Sequence, residues 1–321
     1  MANASEKLIT IFGGDGFVGT QAVQELAQLG YRIRVAVRRP DLADHVKPLG
    51  NVGQIVPIQA NIRNFDSVAR AVEGADIVIN CVGIKSQTSK QTFEAVQVEG
   101  AANIAKAAKA ASVKTLVHLS ALGADKNSNS IAVQSKALGE EAVFKAFPNA
   151  IILRPSIIFG IGDGFFNLFG TISSISKILP MIGKETLFQP IYVGDVAKAI
   201  SLAAAGKVKK GTIYELGGEK IASMQQLLQM VSNETGRKNI LIAVPFWFAK
   251  IKAFFLQILP SPLLTVDQVR QLEVDNIVSK QAIKQKRTIA AFGIKPTSME
   301  AILPTYMWRF RLHGQFDKQE A

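Results

Sequence analysis

The chain of 321 residues contains a single cysteine, Cys81, so it cannot form an internal disulfide bond. A small fold held together by disulfide bonds is therefore excluded, and a reducing compartment fits this composition. Charged residues are also few, at 19% against 48% hydrophobic residues. This balance predicts a sizeable buried core and no extended disorder.

Long uninterrupted apolar runs are lacking as well. The most apolar stretch, residues 240–264, contains Lys250 and Lys252 and is broken by Pro245 and Pro260. The block between the two prolines has 14 residues, fewer than the ~20 that a membrane-spanning helix needs. The seven polar residues before the first apolar run are too few for a signal or transit peptide.

Acidic residues are outnumbered: 25 Asp and Glu face 37 Lys and Arg, which gives a net charge of +12 and a pI near 9.7. Such a basic surface favours an anionic lipid, an acidic partner or nucleic acid. The sequence has neither zinc-finger spacing nor an aromatic RNA-recognition motif, so we expect no nucleic acid. We expect no metal site either.

Segments with the patterns of strands and helices alternate through the first half of the chain. This alternation predicts an α/β fold with a Rossmann-type doubly wound parallel sheet. The predicted strands are Leu8–Phe12, Arg32–Val37, Val52–Gln59, Ala75–Asn80, Thr115–Ser120 and Ala150–Arg154, and the predicted helices are Phe17–Leu29, Phe65–Val72, Phe93–Ala111 and Val133–Phe147.

After Gly160 the pattern loosens, with helices expected at Phe165–Ile178 and Met224–Thr235 and strands at Thr186–Ile191 and Gly211–Leu216. We predict a nucleotide-binding domain over residues 1–160, its sheet completed by residues 186–216. Residues 161–321 are expected to form a smaller helix-rich lobe that faces a membrane or a partner.

A glycine-rich loop with the spacing G-x-x-G-x-x-G follows the first predicted strand. Gly13, Gly16 and Gly19 permit a tight turn, a close backbone approach to a pyrophosphate and close packing of the helix. The helix N-terminus then offers its N–H groups to the phosphates. We predict a dinucleotide here, bound also by Phe17 and Val18; the alternative is a plain glycine turn.

The second predicted strand ends in Val37-Arg38-Arg39-Pro40. Strands that bind NAD usually end here in a carboxylate for the ribose hydroxyls, whereas two arginines suit a 2′-phosphate. We therefore predict NADP(H), bound through Arg38 and Arg39. The alternative is that both arginines are ordinary solvated charges.

Further cofactor contacts are expected where the other strands end. Asn61 and Ile62 follow the third strand, near an adenine, and Val82 and Gly83 follow the fourth, where glycine gives backbone access. Pro155 and Ile157, after the sixth strand, complete the predicted set. Asn61 and the loop after the fourth strand could equally be ordinary loop positions.

The glycine loop, Asn80-Cys-Val-Gly83, Ser120, Lys136 and Arg154-Pro155-Ser156 together resemble the extended and atypical short-chain dehydrogenase/reductases. The resemblance implies a tyrosine as general acid–base, a lysine one helical turn later that favours tyrosinate, and a serine that hydrogen-bonds the substrate oxygen. Ser120 and Lys136 match, but Ala132 stands at the tyrosine position.

An alanine methyl group cannot transfer a proton, so the usual mechanism of that family is excluded. None of the four tyrosines has a lysine four residues later, and His118, inside the fifth strand, is expected to pack in the interior. We therefore expect no catalytic residue. Ser120 and Lys136 remain as vestigial cofactor-binding positions, with Lys136 on the nicotinamide ribose or, alternatively, an ordinary surface lysine.

Further strings are similar to the short-chain-dehydrogenase-like accessory subunits of respiratory complex I, the NADH:ubiquinone oxidoreductase. They are Phe12–Gly19, Val35–Pro40, Gly53–Pro57, Phe188–Asp195, Tyr214–Gly218 and Leu264–Val269. The resemblance implies a tightly bound NADPH that is not turned over, and complex I subunits as partners. It also implies a peripheral position beside the membrane arm near the quinone site. In a bacterium this is the cytoplasmic face of the inner membrane, and in a eukaryote the matrix side.

The predicted C-terminal lobe is basic and apolar. Its segment 245–260 lies either in a membrane interface or a protein groove, or it forms a buried lobe helix. Lys250 and Lys252 point to nearly opposite faces, so no strict amphipathic stripe decides between these. Residues 277–287 carry four cations that could attach to anionic lipid or an acidic subunit, or form a solvated helix face.

Three functions therefore compete. The first is a non-catalytic NADPH-holding subunit of complex I. The second is an atypical short-chain reductase or epimerase-like enzyme with another proton donor, such as water held by Ser120. The third is a binding protein that reports the NADP ratio to a partner.

Overall fold

The structure is a computed structural model that describes residues 4–259, 262 and 264–314. Its strands are β1 (Leu8–Phe12), β2 (Arg32–Val37), β3 (Ile55–Gln59), β4 (Ile77–Asn80), β5 (Thr115–Leu119), β6 (Ile151–Pro155), β7 (Ile158–Phe159), β8 (Ile178–Ile182), β9 (Leu187–Phe188), β10 (Ile191–Tyr192), β11 (Thr212–Leu216), β12 (Ala222–Ser223) and β13 (Ile240–Val244). Short 3₁₀ helices lie at Ala4–Glu6, Pro40–Leu42, Asp44–Leu49, Ile289–Phe292 and Trp308–Phe310.

The α-helices of the same residues are α1 (Phe17–Gln28), α2 (Phe65–Val72), α3 (Gly100–Ala110), α4 (Ile131–Ala146), α5 (Phe166–Ile175), α6 (Val193–Ala204), α7 (Met224–Glu234), α8 (Phe246–Leu256), α9 (Val266–Gln271), α10 (Lys280–Lys284) and α11 (Met299–Met307). A π-helix, Glu94–Glu99, leads directly into α3. None of these helices is long and apolar enough to cross a membrane.

The central sheet has seven strands in the order β11-β6-β5-β4-β1-β2-β3, and every neighbouring pair is parallel. β4 and β5 are buried along their whole length, as expected for strands covered on both faces. The predicted doubly wound α/β fold is confirmed. The strand order reverses between β1 and β4, and sheets of this kind bind ligands at the carboxyl ends of strands beside such a reversal.

Helices pack on this sheet in two groups: α1 contacts α6, whereas α3 contacts both α2 and α4. Side-chain caps set where several of them begin. The Ser130 hydroxyl accepts from the Val133 N–H, so α4 begins at Ile131, two residues before the predicted start at Val133. The start of α4 matters because this helix carries Lys136.

The chain divides into two compact units that differ from the predicted domains. The first unit comprises residues up to 155, 193–216 and 279–294; the second comprises 156–192, 217–278 and the residues from 295. The predicted boundary at residue 160 wrongly assigned residues 279–294 to the C-terminal lobe. This segment belongs with the edge strand β11, because the Ser279 N–H donates to Glu215 and the Arg287 guanidinium donates to the Ile213 carbonyl.

The second unit is built from short strand pairs and helices. β8 pairs with β13 in parallel, β7 with β10 in parallel, and β9 with β12 antiparallel. The helix expected at 165–178 ends at Ile175 and gives way to β8, and the strand expected at 186–191 is two separate two-residue strands. Pro260, expected to end the apolar block, lies outside the described residues.

Candidate functional site

The glycine loop between β1 and α1 has a backbone that only small residues allow. Gly13 has φ +73°, and its N–H donates to the Ala36 carbonyl at 3.2 Å. A Cβ atom built on Gly19 would lie 2.1 Å from the Gly13 carbonyl oxygen. Helix α1 therefore packs directly against the loop backbone, as the predicted dinucleotide fingerprint requires.

The N-terminus of α1 remains open to an anion. The residue before the helix is Gly16, which has no side chain to cap the first turn. The N–H groups of Phe17, Val18 and Gly19 lie within that first turn, where helix N–H groups have no intrahelical partner. Together with the positive end of the helix dipole, these groups form a site that suits a pyrophosphate.

The two arginines after β2 differ in their contacts. Both are exposed, but an Arg39 guanidinium nitrogen lies 2.9 Å from an Asp41 carboxylate oxygen. The hydrogen bond to Asp41 raises the pKa of Arg39, and the same bond lowers the pKa of Asp41. Arg38 has no hydrogen-bond or ion-pair partner among the described residues. Arg38 is therefore the better candidate to bind a 2′-phosphate.

The residues after β3 serve local structure as well. The Asn61 side-chain oxygen accepts from the Arg63 N–H at 3.2 Å, and the Asn61 N–H donates to the Ser67 hydroxyl at 3.0 Å. Ile62 is buried, and its carbonyl accepts from the Asn103 amide at 3.0 Å. These bonds fix the loop that precedes α2.

The loop after β4 is held by a buried pair on neighbouring strands. Asn80 and His118 are register partners of β4 and β5, and the Asn80 amide nitrogen lies 3.0 Å from His118 Nδ1. The Asn80 oxygen accepts from the Val82 N–H at 3.0 Å. His118 therefore orients Asn80, and Asn80 fixes the backbone that leads to Gly83.

Burial lowers the pKa of His118 to about 3, and the nearby positive charge of Lys136 contributes to the shift. A neutral imidazole can accept the Asn80 amide proton at Nδ1, whereas the doubly protonated ring cannot. The expectation that His118 packs and hydrogen-bonds in the interior is confirmed.

Lys136 lies against the same loop, because a Cβ atom built on Gly83 would be 3.4 Å from Lys136 Nζ. Burial lowers the pKa of Lys136 to about 8, and the Glu140 carboxylate and Cys81 oppose this shift. The ammonium group has no hydrogen-bond or ion-pair partner within the described part of the chain. A partly buried cation without such a partner is unfavourable unless a ligand supplies it.

One turn before Lys136, Ala132 presents only a methyl group, and none of the four tyrosines lies on α4. The Tyr214 hydroxyl donates to the Lys209 carbonyl and the Tyr306 hydroxyl to the Asp163 carboxylate. Tyr31 precedes β2, at the end of the sheet opposite the glycine loop. Helix α4 therefore carries no tyrosine hydroxyl one turn before Lys136.

Ser120 belongs to a buried charge network that sequence reasoning missed. Its hydroxyl donates to the Glu140 carboxylate, which also binds the Arg154 guanidinium in a bidentate pair at 2.8 and 2.6 Å. Arg154 lies 4.0 Å from a Glu215 oxygen. The Ser120 proton is therefore engaged by Glu140, and the serine is less suited to hold a substrate or a catalytic water than its sequence position indicates.

A second missed residue is Gln97, in the π-helix. Its amide nitrogen donates to the Ile84 carbonyl at 3.3 Å, while its side-chain oxygen is buried with no hydrogen-bond partner among the described residues. A Cβ atom on Gly139 would lie 2.2 Å from the Gln97 carbonyl, so α4 packs closely on this turn. Single-turn π-helices are frequent at functional sites.

The remaining predicted cofactor-binding residues are Pro155 and Ile157. Pro155 ends β6, is buried, and accepts at its carbonyl from the Leu122 N–H at 2.9 Å. Ile157 belongs to the second unit. The described residues contain no group of three or more side chains that could hold a metal ion.

The geometry can be compared with known proteins. Residues 10–220 match the 3-beta hydroxysteroid dehydrogenase/isomerase family. The mitochondrial NADH dehydrogenase (ubiquinone) 1 alpha subcomplex subunit 9 of Arabidopsis thaliana is 33% identical over 296 residues, which cover 88% of this chain and 74% of that protein. A ceramide reductase of Caulobacter vibrioides is 33% identical over 201 residues, 61% of each chain.

Among solved structures, the NADPH-dependent quinone oxidoreductase of Escherichia coli complexed with NADPH superimposes with a TM-score of 0.71. It is 17% identical, and the match covers 90% of this chain and 96% of that one, so it supports the fold alone. By sequence, the chain belongs to the 3-beta hydroxysteroid dehydrogenase/isomerase family and, within it, to the family of the alpha subcomplex subunit 9 proteins of NADH dehydrogenase.

Proposed function

We propose that this chain is a non-catalytic, NADPH-binding accessory subunit of respiratory complex I. Its role is structural, in assembly beside the membrane arm near the quinone site, on the cytoplasmic face of a bacterial inner membrane. The observation that carries the proposal is a glycine loop built for a dinucleotide beside a helix on which Ala132 replaces the proton donor. The complex I relative in Arabidopsis supports the assignment to that assembly.

The described residues fit NADPH. The N–H groups at the start of α1 would bind the pyrophosphate, and Arg38 would bind the 2′-phosphate with charge-assisted hydrogen bonds. Lys136, which has no hydrogen-bond partner within the described ranges, would bind the nicotinamide ribose. A bound nucleotide would supply stability here, because a ligand that binds only the folded state shifts the folding equilibrium by mass action.

Purification from native membranes in mild detergent tests the proposal. We expect the chain to migrate with the quinone oxidoreductase on a native gel, to be identified there by mass spectrometry, and to release NADPH on denaturation in mild alkali, where the reduced nicotinamide is stable. A chain that stays alone in the soluble fraction and oxidises NADPH steadily with a defined substrate would contradict it.

The second candidate is a reductase, and the similarity to the ceramide reductase favours it. The purified wild type and the Ala132→Tyr variant should be compared with NADPH and a keto-sphingolipid. We expect an inert wild type. Turnover by the wild type would support the enzyme, whereas turnover by the variant alone would show that the missing tyrosine is what prevents catalysis.

A further inference from the structure

Helix α8, in the second unit, is built with its large side chains outward. Its inner face consists of Ala249 and Ala253, which are 1% and 0% exposed and pack with Val269 of α9. Most large apolar side chains of α8, and those of the two residues that follow Gln257, are instead accessible: Trp247 65%, Phe248 38%, Ile251 51%, Phe254 57%, Phe255 65%, Ile258 75% and Leu259 49%.

Sequence analysis left open whether segment 245–260 forms a buried lobe helix. That alternative is wrong for most of the large side chains of α8, because they are exposed. Singly exposed apolar residues are normal on protein surfaces, but large contiguous apolar patches mark interaction sites. Seven such side chains within thirteen consecutive residues form a patch of this kind, which we call the α8 apolar face.

Helix geometry places these side chains together. With about 100° of rotation per residue, Phe254, Trp247, Ile251, Phe255 and Phe248 fall within one outward arc of roughly 120°. Lys250 and Lys252 fall just outside this arc, one at each edge. Two lysines that point to nearly opposite faces are therefore the two borders of one apolar face.

This arrangement suits a lipid surface. A lysine at such a border can extend its ammonium group toward phosphate headgroups while its stem covers apolar surface. The Lys252 ammonium lies 5.1 Å from the centre of the Phe248 ring, and Lys250 is paired with Glu273 at 2.6 Å. The helix is roughly 16 Å long at 1.5 Å per residue, which suits an orientation in the plane of the interface.

We infer that α8 lies in the membrane interface, with the α8 apolar face inserted among the acyl chains of an anionic leaflet and the Lys252 ammonium group at the headgroups. The inference deepens the proposed peripheral position beside the membrane arm. It rests on the proposed function only for the identity of the membrane that α8 contacts. The binding of α8 to lipid can be tested without any complex I subunit.

The two tryptophans of the chain, Trp247 and Trp308, provide the probe. The full-length Trp308→Phe variant keeps Trp247 as its only tryptophan, and the matched Trp247→Phe variant keeps only Trp308. Each is mixed with vesicles of phosphatidylcholine alone, or of phosphatidylcholine with phosphatidylglycerol, that carry brominated acyl chains. We expect a blue shift and quenching of Trp247 with the anionic vesicles, and a much smaller change for Trp308.

A sedimentation assay with the same vesicles uses surface variants. Phe254→Glu places a charge at the centre of the patch and should weaken binding at least tenfold. The matched control is Ile175→Glu, an 81% exposed position at the end of α5, which should bind as the wild type does. Lys252→Glu should weaken binding to the vesicles that contain phosphatidylglycerol more than binding to vesicles of phosphatidylcholine alone. Unchanged melting temperatures confirm that these surface variants fold.

Several outcomes would overturn the inference. One is vesicle binding by the Phe254→Glu variant that is as strong as that of the wild type. A second is a fluorescence shift of Trp247 that occurs with native membranes but with none of the protein-free vesicles. This result would mean that a membrane protein covers the α8 apolar face. A shift that depends on protein concentration alone would mean a second copy of the chain. Co-migration with complex I despite a failed vesicle assay would leave the proposed function standing and reject only the lipid contact.

Discussion

Replacement of Gly19 by alanine tests whether α1 packs against the glycine loop as closely as the structure shows. The new Cβ atom would lie 2.1 Å from the Gly13 carbonyl oxygen and 2.7 Å from the Gly14 Cα atom. Both obstacles are backbone atoms, so no side chain can rotate away. The loop and the helix must separate by about 1.3 Å to restore an ordinary contact of 3.4 Å.

The magnitude follows from this displacement. Overpacking of this kind costs about 1–3 kcal/mol of unfolding free energy, which lowers the melting temperature by roughly 2–4 °C for each kcal/mol. The separation also moves the pyrophosphate site, and two charge-assisted hydrogen bonds at about 1.5–3 kcal/mol each would be weakened. We therefore expect NADPH affinity to fall by at least about 100-fold.

Thermal melting with and without NADPH, together with calorimetric titration, measures both effects. Gly16→Ala is the matched control, because its Cβ atom would lie 3.4 Å from the Gly13 carbonyl at a negative φ of −84°. Gly16 is in the same loop, so only the stability of its variant is compared, and we expect it within about 0.5 kcal/mol of the wild type. A Gly19→Ala protein that melts and binds NADPH as the wild type does would refute the reasoning.

Three further predictions concern charged groups. Arg38→Ala should lower the affinity for NADPH about 10- to 100-fold and leave the affinity for NADH unchanged. Arg39→Ala should change both affinities little. If titrations of the Arg38→Ala variant showed equal losses for the two nucleotides, they would contradict the role of Arg38 at the 2′-phosphate. Lys136→Met should stabilise the nucleotide-free protein by about 1–3 kcal/mol at pH 7 and weaken NADPH binding. Because the pKa of Lys136 falls from 10.5 to about 8 on folding, the unfolded chain binds more protons between these values. Wild-type stability should therefore rise with pH across this window, a rise that the variant lacks in denaturant titrations. His118 has a folded pKa of about 3 against 6.5, so stability should fall by up to about 1.4 kcal/mol per pH unit as pH drops from 6.5 toward 3. His118→Gln should flatten this slope, whereas a His45→Gln control that flattens it equally would exclude His118 as its source.

Local sequence signals predicted the part of the site that local geometry builds. The glycine loop could be read directly, because the turn, the close approach and the helix start depend on residues within one short segment. The start of α4 was missed by two residues, although Ser130, whose hydroxyl caps the Val133 N–H, is a visible helix-start signal.

Long-range pairing could not be read in the same way. Glu140 lies 20 residues from Ser120 and 14 from Arg154, so their network forms only once α4 packs against β5 and β6. A carboxylate one turn after Lys136 was the available signal. The Asn80–His118 bond depends on the register between β4 and β5, which alternation alone does not specify.

The segment 279–294 was misassigned for the same reason. Its place beside β11 depends on contacts that Arg287 makes with Ile213, 74 residues away in sequence. Composition suggested only a basic helical stretch, and a helix of five residues, Lys280–Lys284, is what forms. A basic surface segment carries no pattern that identifies which strand it joins.

Two buried polar groups give the proposed structural cofactor a physical basis. Among the residues that the structure describes, Lys136 carries a partly buried charge without a hydrogen-bond partner, and the Gln97 oxygen is a buried acceptor without a donor. Each group lowers the stability of the nucleotide-free fold, because desolvation is not compensated by a partner. A ligand that supplies a partner to Lys136 recovers part of that cost on binding. The first unit would then be most stable only when loaded, so a chain without NADPH would present a less stable fold to its assembly partners. The proposed binding without turnover rests on the same arrangement, since Ala132 offers no proton and the Ser120 proton is engaged by Glu140.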